Sequence, residues 1–157
     1  MTKEKQKEFA MRVTQANKTE LVAITYDIIL ENISCAKEEL KKSDIEGFRT
    51  ELKSAGRFLA ELMHSLDYNY PISVNLLKLY EYIQKIFIAS SFAGKDKGLD
   101  SAESVLGKLA SAFHEISAQD DTGSVMENTQ QIVAGLTYGK GTLNEADMSA
   151  GNRGFLA

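Results

Sequence analysis

The sequence predicts an all-α protein: an antiparallel up-down four-helix bundle with a short fifth helix, a flexible N-terminal arm and a C-terminal tail. Three observations carry this reading. Apolar residues recur in alternating steps of three and four along four long segments, the spacing that puts them on one helical face. No segment shows the alternation of a half-buried strand. The links between the four segments are short, which makes successive helices antiparallel neighbours.

Residues 1–16 are polar and basic, with only Phe9, Met11 and Val13 as scattered apolar positions, and read as an arm too sparse to form a packed element alone. Asn17 followed three residues later by Glu20 matches a capping box. The seam Val22, Tyr26, Ile29, Ile33, Ala36 and Leu40 then predicts a helix over about 18–41. After the Lys41-Lys42-Ser43-Asp44 break, Ile45, Phe48, Leu52, Ala55, Leu59, Leu62 and Leu66 give the second helix. Pro71, the single proline, has the fixed φ that suits a first helical turn and opens the third, whose seam reads Ile72, Leu76, Leu79, Ile83 and Ile86. Gly94 to Gly98 supplies a turn. The fourth seam follows as Leu99, Ala102, Leu106, Leu109, Phe113 and Ile116. Val125, Ile132, Val133 and Leu136 suggest a short fifth helix, which closes a bundle domain of 17–136. The glycine-rich stretch 137–157 reads as a loose tail whose backbone entropy exceeds what it can bury.

Composition narrows the function classes. With 18 Lys and Arg against 22 Asp and Glu, the net charge of −4 gives no electrostatic reason to expect a nucleic-acid or anionic-membrane partner. The charged start MTKEKQKEF lacks the apolar stretch of a secretory signal, and no apolar run reaches the roughly 20 residues that span a bilayer, so a soluble cytoplasmic protein is expected. One cysteine, Cys35, rules out an intrachain disulfide and a four-thiolate zinc site.

Candidate chemistry is thin. Glu61-Leu-Met-His64 has the Glu-x-x-His spacing that di-iron bundles need on two helices, but His114 has Ser111 three residues before it, so no second copy exists. Gly135 to Thr142 has three residues between its first two glycines and Gly141 after Lys140, which is not a phosphate loop. Asn17-Lys18-Thr19 fits a glycosylation acceptor, but in a cytoplasmic chain it serves only as a cap. Without an adjacent histidine or lysine, Cys35 reads as a small hydrophobe. No catalytic constellation, cofactor or metal site is expected, and a binding protein is.

The informative excess lies off the seams. Leu21, Ile28 and Cys35, with Ile24 near them, form a second line about 120° from the first seam. On the third helix Tyr80 and Phe87 lie to one side of the seam and Leu77 and Ile88 further round, leaving Lys78, Glu81 and Lys85 as a narrow polar strip. Either this surplus is covered by the arm or the fifth helix, or it is a groove for a partner segment, since large apolar patches seldom persist unused on a monomer. Both hold if the arm fills the groove until a partner displaces it. Tyr26, Tyr68, Tyr70, Tyr80 and Tyr82 add rigid amphipathic contacts.

At these residues the chain resembles the flagellar secretion chaperone family FliS. The likeness runs through Phe9, the stretch Val13-Thr-Gln-Ala-Asn-Lys-Thr-Glu20-Leu21, Tyr26-Asp27, Ala36, Ile45, Ala55, Glu61-Leu-Met-x-Ser-Leu66 and Leu79-Tyr80-Glu81-Tyr82-Ile83, and covers roughly residues 9–118. Lys18, Thr25 and Ile28 stand where the family often has proline, leucine and glycine, and Phe9 replaces a tyrosine. The resemblance implies a cytosolic, non-enzymatic chaperone around which the C-terminal segment of flagellin wraps, held from premature polymerisation and released at the export machinery. On this footing Leu21, Ile24, Ile28, Leu77, Tyr80, Phe87 and Ile88 are the expected partner contacts, with Phe9 and Val13 as a displaceable plug. A structural or signalling bundle that forms a homodimer through the same stripes is the alternative reading.

Overall fold

A computed structural model describes residues 1–126. Among the described residues the regular elements are five helices: α1 (Lys3–Gln15), α2 (Lys18–Lys41), α3 (Ile45–His64), α4 (Ile72–Ala93) and α5 (Leu99–Ser117). The helix expected over 125–136 lies, apart from its first two residues, outside the described residues, as does the tail from 137.

Local chemistry sets the boundaries. Asn17 Oδ1 accepts the Glu20 amide at 2.7 Å and opens α2 as the capping pattern predicts. Asp44 does the same for α3 through the Gly47 amide at 2.9 Å. Gly94 ends α4 in the left-handed region at φ 59°, where a Cβ would be strained. Gly98, at φ 117°, offers α5 no side-chain cap, so Asp96 Oδ1 takes the Gly98 and Leu99 amides at 2.8 and 2.7 Å instead.

Helices α2 to α5 form a ring in which α2 packs on α3 and α5, and α4 packs on α3 and α5. Their antiparallel order is visible in the end-to-end bonds. Lys37, near the end of α2, pairs with Asp100 and Glu103 near the start of α5, and Arg49 near the start of α3 donates to the Ser91 carbonyl near the end of α4. The seams expected for α2 and α3 supply the core, with Tyr26, Ile29, Ile33, Phe48, Leu52 and Leu59 at no more than 1% exposure.

Two expectations are corrected. The residues read as an arm without a packed element form α1. Thr2 caps it by accepting from the Lys5 amide, and its few apolar residues fall one turn apart, so that Phe9, Val13 and Ala16 meet α2 together. A 13-residue helix of this composition is marginal in water, and docking supplies what propensity lacks. The α4 seam is also partly rotated: Leu76, Ile83 and Ile86 of the expected seam are buried, joined by Ser73, Tyr80, Phe87 and Ser90, whereas Ile72 and Leu79 are exposed. Polar members of that line are satisfied internally: Ser73 Oγ donates to the Asp67 carbonyl at 2.5 Å and Ser90 Oγ accepts the Lys97 amide at 3.0 Å.

Candidate functional site

Helix α2 carries apolar residues on two faces, and the structure separates them. One face joins the ring core. The other, Leu21, Ile24 and Ile28, belongs to a second cluster closed by Phe9, Val13 and Ala16 from α1 and its link to α2, with Met1 alongside and Phe58 of α3 touching both clusters. The expected plug and three of the seven expected contacts thus meet: Ile24 is fully buried, Ile28 and Phe9 nearly so, and Leu21 and Val13 are half-buried.

This cover is one-sided. No Cα of α1 comes within 8 Å of one in α3. Between the two helices lies a cleft of about 460 Å³, with Gln6, Phe9, Ala10 and Val13 on one wall, Ile28 and Asn32 on the floor, and Thr50, Ser54, Arg57 and Phe58 on the other wall; Met1 and Glu51 of α3 also line it, and the Met1 ammonium pairs with the Glu51 carboxylate. Asn32 turns its amide back to the Ile28 carbonyl at 2.9 Å, which leaves the floor mainly apolar. Cys35, the outermost member of the second line, is half-buried; burial pushes its thiol up, opposed by the N-terminal ammonium, so nothing activates it as a nucleophile.

Polar contacts fasten α1 from its outer side. Arg12 reaches Asp27 Oδ2 at 2.7 Å and lies 5.6 Å over the Phe9 ring. His114 Nε2 meets both Asp27 oxygens at 2.9 and 3.0 Å, so Asp27 joins α1 to α5 through α2. The segment after α5 then crosses the α1–α2 junction. Asn17 Nδ2 donates to the Asp120 carbonyl at 3.1 Å, Thr19 Oγ1 to Asp120 Oδ2 at 2.7 Å, Ser124 Oγ to the Thr14 carbonyl at 3.0 Å, and the Val125 amide to the Ala16 carbonyl at 3.0 Å. Sequence reasoning found Asn17 as a cap but not this clasp, because its partners lie about a hundred residues apart and most are backbone groups.

The rest of the expected contact set divides. Tyr80 and Phe87 are core residues at 1% and 2% exposure, their rings filling the space between the helices, and Phe87 also lines a groove between α3 and α4. Leu77 is half-buried and Ile88 is 59% exposed. Ile88 and Phe92, which is 90% exposed and was missed, border a shallow groove of about 720 Å³ between α3 and α4. Phe92 sits one turn beyond Ile88, a spacing that could have revealed it. Of the two histidines, His64 is exposed at the end of α3, far in sequence from the Asp27-bound His114.

No helix among the described residues is long and apolar enough to cross a membrane. A comparison with curated proteins returns no significant match. The family model described as flagellar protein FliS matches residues 1–120, which takes in all five helices and the junction that α1 makes with α2. The chain belongs to the FliS family of flagellar chaperones.

Proposed function

We propose that the chain is a cytosolic, non-enzymatic export chaperone that binds the disordered C-terminal segment of flagellin in the groove of Leu21, Ile24 and Ile28, prevents its premature polymerisation and delivers it to the flagellar export machinery. The observation that supports this most is the second apolar cluster on α2, which faces away from the ring core, meets it through Phe58 and is closed mainly by the short helix α1. Phe9 and Val13 act as a plug that flagellin displaces; Leu77 and Ile88 extend the contact along α4. A client segment that folds on this surface buries apolar area while it loses chain entropy, so binding carries a negative heat-capacity change and depends little on salt.

The test is Ile28→Glu, titrated with a C-terminal fragment of flagellin in a calorimeter beside the unaltered chain. Helicity should persist, because Ile28 lies outside the ring core, while binding should vanish. A variant that still binds the fragment would falsify the assignment of the groove.

A further inference from the structure

The groove between α3 and α4 is cationic on an acidic chain. Arg49, Lys53 and Arg57 line its α3 side against one carboxylate, Glu46, whereas the net charge of the whole sequence is −4. Arg49 already holds Glu46, but Lys53 and Arg57, exposed and one turn apart, have no ion-pair partner among the described residues. The α4 side is apolar at Ile88 and Phe92, again one turn apart. Between them Gln84 crosses to α3 at Gly56, where a Cβ would come within 3.2 Å of its amide nitrogen, and its Oε1 is buried with no hydrogen-bond partner among the described residues. Buried acceptors are nearly always paired, so this one calls for a donor from outside the ring. The occupant must therefore bring acidic groups, apolar side chains and a hydrogen-bond donor.

We infer that this occupant is the chain's own segment from Leu143 to Met148, which lies outside the described residues and beyond the family match to 1–120. Residues 127–157 hold three acidic side chains, and two of them, Glu145 and Asp147, fall in this run, flanked by Leu143 and Met148 and beside the amide of Asn144. Glu145 and Asp147 pair with Lys53 and Arg57, Leu143 and Met148 cover Ile88 and Phe92, and Asn144 donates to Gln84 Oε1. Reach is sufficient. The Val125 amide is bound to the Ala16 carbonyl, at the end of the ring where α3 finishes, and the stretch from Met126 to Leu143 spans up to about 60 Å, twice the roughly 30 Å of α3. Docked there, the segment shields Phe92, an aromatic side chain that is otherwise 90% exposed.

The test uses the full chain alone. Amides of Leu143 to Met148 should exchange about tenfold or more below free-chain rates, the slowing of a segment docked at least about nine-tenths of the time. Lys53→Glu with Arg57→Glu should return them to free-chain rates. Glu145→Lys with Asp147→Lys, which leaves the ring untouched, should do the same, and the four substitutions together should restore the slowing because opposite charges meet again. Phe92→Ser should weaken it without any change of charge. The altered ring residues are exposed, so melting midpoints should stay within a degree or so of the unaltered chain. Free-chain exchange in the unaltered protein overturns the inference, as does slowing that survives the charge reversals and Phe92→Ser. Slowing that grows with protein concentration also overturns it, since the segment of one copy then sits in the groove of another. Flagellin is absent throughout, so the result is independent of the client reading, although Ile88 is common to both.

Discussion

The hydroxyls of Tyr26 on α2 and Tyr80 on α4 hydrogen-bond to each other across the ring, where neither residue is more than 1% exposed. Burial raises the pKa of both phenols, so both stay protonated, and the ring centroid of Phe113 lies 5.4 Å from that of Tyr26. Removing one hydroxyl leaves the other with no partner in apolar surroundings, which costs about 1–3 kcal/mol, whereas removing both leaves nothing unsatisfied. Tyr26→Phe and Tyr80→Phe should each destabilise by that amount in urea unfolding, and the double variant should be no worse than the milder single. Additive losses would show that the pair is not coupled.

The same pair explains where the sequence misled. Periodicity located α2 and α3 within a residue or two because their core lines are apolar throughout, from Val22 to Leu40 and from Phe48 to Leu62. On α4 the core line begins and ends in serine and has tyrosine at its centre, so the adjacent line through Ile72 and Leu79 looked greasier while facing water. Phe87, expected at the surface, is for that reason a core residue whose edge alone reaches the α3–α4 groove. The surplus on α2 was legible as a surplus and its cover was guessed as the arm, but the helicity of that arm comes from docking, which no local pattern reports.

Two neighbours on α4 should therefore respond in opposite ways. Phe87→Glu places a carboxylate in the ring core, a penalty large enough against a total stability of about 5–15 kcal/mol to abolish cooperative melting. Ile88→Glu, at a 59% exposed site, should shift stability by no more than about 0.5 kcal/mol. Circular dichroism melts of the two variants separate core from surface, and a folded Phe87→Glu protein would contradict the burial described above.

Phe9 is the one α1 side chain buried against both Ile24 and Ile28 in the second cluster, and its loss should free the helix without unfolding the ring. Burial of a ring of this size stabilises by about 1.5–3 kcal/mol. In Phe9→Ala the α1 amides should exchange close to free-chain rates while those of α2 to α5 keep their protection. If α1 competes with the client, the flagellin fragment should bind more tightly to this variant by up to the factor that the exchange data report. Faster exchange throughout the ring would mean that α1 is integral to the core.

Acid should loosen the clasp over the α1–α2 junction before it affects the helices. The Thr122 hydroxyl at 2.6 Å and the Thr19 hydroxyl at 2.7 Å donate to the Asp120 carboxylate, with the Thr122 amide at 3.0 Å, and hold its carboxyl below the usual carboxylate range. A carboxyl lowered by folding stabilises the folded state above its free value of 3.8, and that contribution fades as pH falls through the lowered value. The Val125 amide, bound to the Ala16 carbonyl, is a local reporter. Its exchange, taken relative to the free-chain rate at each pH, should quicken as pH drops below 3.8, whereas Asp120→Asn should show no such dependence. Asp100 is also lowered, by Lys37, but it sits at the opposite end of the ring, so its protonation should register at the α2–α5 contact and leave the Val125 amide unmoved. An identical acid response in the asparagine variant would remove Asp120 as the fastening and assign the pH dependence to another carboxylate.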